Sequence, residues 1–290
     1  MLALIALTLS AAVQDLPPPL PCAGCYRPRA TTSPWQIQLQ GRIDTSVRAR
    51  FVVIDADEPA RTVRALHRRG RKVACYINAG AWEDFRADRR SYPREVLGKE
   101  YEGFPEERWL DIRRIDLLAP ILRARIDACR AKGFVGVDPD NLNGFENDTG
   151  FPLTAADQLR FNTWLANEVH ARRLSVGLKN DGPQAGALAP YFDWAIVEEC
   201  IEQRNCSEYA PFTRAGKPIF AIEYRKPTRR TCTVARRRTI SVVFKTPALR
   251  APRRTCGARP PRRGIQAVRA CSGVRPRLAA GSTIPITRRQ

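Results

Sequence analysis

The chain has 290 residues, enough for one large barrel or two average domains, and its 43% hydrophobic fraction excludes disorder throughout. Its net charge of +20 is unevenly spread: residues 1–224 carry 30 Lys and Arg against 29 Asp and Glu, and residues 225–290 carry 19 against none. The body is therefore neutral, which excludes a basic surface along the whole chain and the specific nucleic-acid binding it would serve.

Residues 1–14, MLALIALTLSAAVQ, read as the apolar core of a signal peptide with small residues suited to cleavage near Ala11 or Ala12. The run is too short for a transmembrane segment, so a secreted or cell-envelope protein is expected. Nine cysteines agree with an oxidising compartment, and the odd count leaves at least one without a partner inside the chain. Residues 15–34, with the stretch DLPPPLP, read as an extended linker. Cys22 and Cys25 form a CxxC with no second CxxC or His cluster, which leaves a local disulfide or two structural thiols.

From Trp35 on, short β-branched or aromatic runs alternate with helix-like segments. The runs are WQIQLQ (35–40), FVVIDAD (51–57), KVACYINAG (72–80), GFVGVDPDN (133–141), LSVGLKND (174–181), WAIVEEC (194–200), PIFAIEY (218–224) and ISVVFK (240–245). Helices are expected over RTVRALHRRG, IDLLAPILRARIDACRAKG and TAADQLRFNTWLANEVHARR, the last opened by Thr154 with Asp157 three residues on. Several runs are apolar at consecutive positions, as parallel strands covered on both faces must be. Eight such units predict an α/β fold, a single-domain (β/α)8 TIM barrel over residues 35–256, with an open doubly wound sheet as the alternative.

Each run begins apolar and ends polar: Gln38 and Gln40, Asp55 and Asp57, Tyr76 and Asn78, Asp138 and Asp140, Lys179 to Asp181, Glu198 and Glu199, Glu223 and Tyr224, Lys245. In a barrel these ends converge on one face, where the loops build the site. The set is rich in carboxylates, has no His, and lacks a nucleophile elbow or a Gly-rich phosphate loop, so acyl and phosphoryl transfer lose ground. Paired carboxylates suit glycoside cleavage, one protonating the leaving oxygen while the other attacks or activates water. Metal binding is less attractive because Lys179 and Lys245 compensate the charge, and no metal or organic cofactor is expected. Strand alternation puts Asp138 and Asp140 on one side but leaves open which of Glu198 and Glu199 points inward.

CYINAG (75–80) followed by Glu83, Arg86 and Asp88, then RWLDIR (108–113), GFVGVDPDN, TGFPLTAADQLRFNTWLA (149–166), LSVGLKND, DWAIVEEC and IEY resemble the endo-α-1,4-polygalactosaminidase family, glycoside hydrolase family 114. The resemblance runs from about Trp35 to Tyr224 and implies a (β/α)8 barrel that cleaves internal α-1,4 linkages of a galactosamine-containing polysaccharide. It also implies Asp140 and Glu198 as the catalytic pair. Two positions depart from it: Asp138, more often Glu, and Val197, more often Asn. Asp55, Tyr76, Asp138, Asn141, Lys179, Asp181, Glu223 and Tyr224 are the candidate substrate-binding residues, an acidic cleft suited to a polymer of cationic sugars. A noncatalytic carbohydrate-binding barrel is the alternative.

Around the candidate site, Cys200 and Cys206 are expected to form a disulfide, while Cys75 and Cys129 read as small buried hydrophobes and His67 and His170 as surface or capping residues. Residues 257–290 carry eight arginines, no acid and no aromatic, and so are expected to form a disordered basic tail that contacts anionic polymers. The same composition is what a shifted reading frame in GC-rich DNA produces.

Overall fold

A computed structural model of the chain describes residues 16–29 and 34–256. The expected signal peptide and basic tail lie outside the described residues. Eight strands run parallel in chain order: β1 (Trp35–Gln38), β2 (Phe51–Asp55), β3 (Lys72–Asn78), β7 (Gly136–Asp140), β8 (Ser175–Lys179), β9 (Trp194–Glu198), β10 (Ile219–Glu223) and β11 (Ile240–Phe244). The fold is the expected (β/α)8 barrel, and each expected run contains one of these strands. Three further strands, β4 (Ala81–Glu83), β5 (Leu97–Tyr101) and β6 (Phe104–Leu110), form a separate antiparallel sheet in the connection after β3. Sequence periodicity did not single out that sheet.

The longer helices carry their own start and stop signals. Helix α1 (Ala60–Arg68) buries Val63 and Leu66, and α2 (Ile115–Lys132) ends on Gly133 at φ 89°, a left-handed cap that a side chain would strain. Helix α3 (Ala155–Ala171) opens on the expected capping box: Thr154 accepts from the Asp157 amide, and Asp157 accepts from the Thr154 amide at 3.1 Å each. Two short helices follow, α4 (Ala185–Leu188) and α5 (Ala210–Arg214), then α6 (Arg229–Arg237), capped by Thr228 and Thr231.

The barrel closes at one seam through side chains and through the segment that follows β11. No backbone ladder joins β1 to β11 among the described residues. Instead the chain after β11 folds back, with the Leu39 amide donating to the Leu249 carbonyl at 3.0 Å and β12 (Arg254–Thr255) pairing antiparallel to β11. Trp35 Nε1 donates to the Ser241 carbonyl at 2.8 Å across the gap. The Cys232–Cys256 disulfide ties this returning segment to α6.

Three expectations need correction. The proline-rich stretch is no free linker, because the Leu20 amide donates to Asn167 Oδ1 at 2.8 Å and Tyr191 donates to the Pro17 carbonyl at 2.7 Å. His170 is buried rather than superficial, bridging the Leu20 carbonyl and Asp193 at 2.9 Å each. Cys75 and Cys129 are joined in a disulfide between β3 and α2, as are Cys22 with Cys25 and Cys200 with Cys206 in their loops. Their apolar surroundings hide a pairing that spans 54 residues of sequence. Replacing both Cys75 and Cys129 by Ala is expected to lower stability by roughly 2–4 kcal/mol, the usual cost of freeing a loop of this kind. The check is a thermal midpoint several degrees below that of wild type, and an unchanged midpoint would mean that packing alone holds β3 to α2.

Candidate active site

Aromatic side chains plug the lower barrel and leave the upper interior to polar groups. Trp35, Phe51, Trp194 and Phe220 are fully buried and in mutual contact, with ring centroids 5.1–5.2 Å apart for Trp35–Phe220, Phe51–Trp194 and Phe51–Phe220. Trp194 fits because β7 and β8 offer Gly136 and Gly177 opposite it, where any Cβ would collide with the indole. Alternation along the strands then carries Asp138 and Asp140 inward after Gly136, Lys179 after Gly177, Glu198 after Trp194 and Ile196, and Tyr224 after Phe220 and Ile222. This parity resolves the open choice: Glu198, not Glu199, shares the inward face.

At the mouth a single buried ammonium joins two carboxylates. Lys179 Nζ lies 3.0 Å from Asp140 Oδ1 and 3.5 Å from Glu198 Oε2, with the lysine side chain 3% exposed and the carboxylates 18% and 28%. Asp140 also accepts from the Tyr76 hydroxyl and the Asn141 amide, both at 2.8 Å. Glu198 accepts from the Tyr224 hydroxyl and, at 3.2 Å, from Asn180 Nδ2, while Asn180 Oδ1 takes the Glu198 amide at 3.0 Å. Each carboxylate thus has a tyrosine on one oxygen and shares the lysine on the other. Burial alone would raise the Asp140 carboxyl, but Lys179, the Tyr76 hydroxyl and the Asn141 amide together hold it below the usual carboxylate range. Burial opposes the charge on Lys179 as well, and the surrounding carboxylates overcome it, keeping the ammonium protonated well above its ordinary value.

In sequence the chain matches the model of glycoside-hydrolase family GH114 over residues 21–260. The chain belongs to that family. No curated protein matches it in sequence. Among solved structures, Aspergillus fumigatus Ega3 in complex with galactosamine is similar at 35% identity and a TM-score of 0.77, over 82% of this chain and 99% of that one. The glycoside hydrolase domain of PelA from Pseudomonas aeruginosa shares the fold at 17% identity and a TM-score of 0.64, over 77% of this chain and 98% of that one. As a GH114 member the chain is a glycoside hydrolase.

Within this GH114 barrel, Tyr76, Asp140, Lys179, Glu198 and Tyr224 converge as expected from their strand ends, and several other candidates do not. Asp55 is held in the fork of Arg86 at 2.7 and 2.8 Å, and the same guanidinium binds Glu83 at 2.7 Å and Asp57 at 2.9 Å. Its charge is neutralised within the protein. Glu223 has the outward parity; it is 2% exposed and accepts from the Ile201 amide at 2.8 Å, which pins the loop that follows Glu198. Asp181 is 1% exposed, accepts from Asn162 Nδ2 on α3 at 2.9 Å, and is pushed up to about 8 by burial and the nearby Glu146. Asn141 donates to Asn78 Oδ1 at 3.0 Å, and its carbonyl lies where a side chain at Gly80 would sit. Lys245 is at the seam, donating to Gln36 Oε1 at 3.1 Å and the Arg250 carbonyl at 2.5 Å, so among the described residues Lys179 alone pairs with the two carboxylates.

Asp138 is sealed one rung below Asp140, with no exposure and, among the described residues, no hydrogen-bond partner on either oxygen. Burial pushes its carboxyl up to about 7 in spite of Lys179. It cannot touch a ligand, which corrects its assignment as a contact residue. Three contributors were not among the candidate site residues: Asn180, which the sequence placed only within a polar strand end, and Tyr101 and Glu107 from the antiparallel sheet. Glu107 accepts from Asn78 Nδ2 at 3.0 Å, and its carboxyl is pushed up to about 7 by burial and by Glu83 and Asp140. The one signal that pointed there was the turn-like YEGF between two short strands, with Gly103 at φ 82°.

The elevated acids set a pH dependence. Asp138 and Asp181 bind protons more tightly folded than unfolded, so their contribution to stability is present at low pH and is lost as pH rises through about 7 and 8. The thermal midpoint is expected to fall between pH 5 and pH 9. Asp138→Asn is expected to flatten that fall by an amount on the order of a few kcal/mol. Midpoints of the two proteins measured at pH 5, 7 and 9 check this, and parallel curves would show that Asp138 is ionised throughout.

Proposed function

We propose that the chain cleaves internal α-1,4 linkages of a galactosamine-containing polysaccharide, with Asp140 as nucleophile and Glu198 as general acid and base. The observation that carries this reading is the pair of inward carboxylates on the two strands that flank β8, each partly open and both clamped on Lys179. Asp140, held below the ordinary carboxylate range, is ionised when it must attack the anomeric carbon. Glu198 is the more exposed of the two and can exchange a proton with the leaving oxygen and then with water. The two oxygens that share the ammonium cannot be farther apart than their two distances to it added together. That limit holds for these two oxygens; a lysine shared by both carboxyls favours the shorter separation of a retaining pair, about 5–5.5 Å, and a glycosyl-enzyme intermediate.

The substrate class rests on the galactosamine held by Ega3, which is 35% identical over most of this chain. A polymer of free amino sugars is cationic, and a mouth with Asp140, Glu198 and Glu107 around one lysine suits it. Four disulfides among the described residues support function in an oxidising compartment, and no helix among them is long and apolar enough to cross a membrane.

Asp140→Asn and Glu198→Gln are each expected to reduce cleavage of a deacetylated α-1,4-galactosamine polymer by at least about 10³-fold, with folding and polymer binding retained. Oligosaccharide release from purified protein measures the first and calorimetric titration the second. Near wild-type turnover in either variant removes that residue from the chemistry. A wild type that binds the polymer but never cleaves it, between about pH 4 and 8, would instead make this a noncatalytic binding barrel.

A further inference from the structure

The outer wall of the barrel carries a basic groove that shares no residue with the mouth. It has a volume of about 530 Å³ and lies between the β1–β2 loop and α1, with Arg42 and Thr45 on the loop side, Arg61, Thr62 and Arg68 on the helix side and Glu58 at the turn into the helix. Residues 59–71 hold five arginines and no acid. Val63 and Leu66 are buried against the barrel, while Arg61 and Arg68 share the opposite, exposed side of α1 with Ala65. Buried Gln38 fixes the facing loop: its Nε2 donates to the Arg42 carbonyl at 2.9 Å and its Oε1 accepts from the Asp44 amide at 3.1 Å. The groove therefore has one wall of helix and one of braced loop, both formed before any ligand arrives.

The lining is rich in donors with nothing to donate to. Among the described residues, Arg42, Arg61 and Arg68 make no side-chain hydrogen bond or ion pair, and neither the Thr45 nor the Thr62 hydroxyl has a partner. On α2 and α3, by contrast, Arg123 is paired with Glu168, and Arg172 with Asp127 and Glu168. Glu58 is the one carboxylate in the lining; Asp44, next to Thr45 in the loop, is turned to Ser46, accepting from its hydroxyl at 2.6 Å and its amide at 2.9 Å. Exposed Arg64 and Arg69 extend the positive charge along the helix and its C-terminal cap.

We propose that this groove binds an anionic polysaccharide, a uronate-bearing chain lying between α1 and the β1–β2 loop with its carboxylates on Arg42, Arg61 and Arg68 and its hydroxyls on Thr45 and Thr62. Three guanidinium forks against one carboxylate select an anion, and each fork can hold a carboxylate through two parallel hydrogen bonds. One such pair in open water is weak and screened by salt, so a single small anion is not retained, whereas a chain that engages several arginines at once is. Nucleic acid fits less well, because the lining has no aromatic ring on which a base could stack and a duplex is too wide to enter a groove of this volume. Asp140 and Glu198 at the mouth repel the same polymer, so the groove and the mouth take chains of opposite charge. The assignment stands apart from the hydrolase reading and needs no turnover to be tested.

The test titrates short polygalacturonate into the full chain by calorimetry at low and at physiological ionic strength. The variant Arg61→Glu with Arg68→Glu is compared with Arg130→Glu with Arg214→Glu, an equal change of charge at exposed positions on α2 and α5. Residues 257–290 are the same in every protein, so their arginines produce no difference between variants. Wild type is expected to bind, the groove pair to weaken binding about tenfold or more, and the control pair to stay within about twofold of wild type. Arg61→Gln with Arg68→Gln, which removes the charges without reversing them, is expected to give an intermediate loss and decides the matter if the reversed pair does not fold. No binding by wild type, or equal losses from the groove and control pairs, would overturn the assignment. A DNA strand or duplex of equal charge that binds wild type more tightly than polygalacturonate, and loses that binding in the groove pair, would overturn it in favour of a nucleic-acid site.

Discussion

One buried ammonium makes the mouth of this barrel possible. Lys179 stands on the inward face of β8 between Asp140 on β7 and Glu198 on β9, with Asp138 sealed beneath. Without it three carboxyls would crowd a region that water scarcely reaches, and most would be protonated. At an effective dielectric of about 20, a contact near 3 Å is worth roughly 5 kcal/mol, comparable to the several kcal/mol that each ion loses on leaving water. Neither the lysine nor the ionised Asp140 would be stable there alone. Together they keep one carboxylate charged and ready beside a second that still reaches solvent.

That arrangement depends on the layer below it. The four aromatic residues of the plug set which parity of each strand faces inward, and Gly136 and Gly177 make room for Trp194. Every second residue upward from the plug is then aimed at the mouth. The outward parity is used for attachment instead: Glu223 fixes the loop after Glu198 through the Ile201 amide, and Cys200–Cys206 closes that loop. A substitution that shifted the packing of Trp194 would therefore disturb the carboxylate pair without touching it.

Acidic residues in this protein perform three separate tasks. Asp140 and Glu198 share a lysine and stay reachable, Asp55, Asp57 and Glu83 are gathered on Arg86, and Asp138 and Asp181 are buried where the neutral form is favoured. Glu107 belongs to none of these groups, being half-buried and without a cationic partner among the described residues. The same residue type is thus left reachable, held in an ion pair or buried in its neutral form according to what packs around it.

From the sequence alone, the alternation of eight apolar runs with helical segments favoured the barrel over an open doubly wound sheet, and the polar ends of those runs pointed to one end as the candidate site. Period-two spacing also sufficed to place Asp138 and Asp140 on one side, and the family motifs marked Asp140 and Glu198. What the sequence could not decide was direction: a strand covered on both faces is apolar at both parities, so no contrast separates inside from outside. Only the packing of Trp194, Phe220 and their neighbours turned Glu198 and Tyr224 inward and Glu199 and Glu223 away. Pairings between distant segments were equally invisible, because Asp55 meets Arg86, Cys75 meets Cys129, and Glu107 reaches Asn78 only once the chain has folded back on itself. Spacing along a chain records what one strand or helix presents; which partner it meets is decided by the tertiary structure that brings the two together.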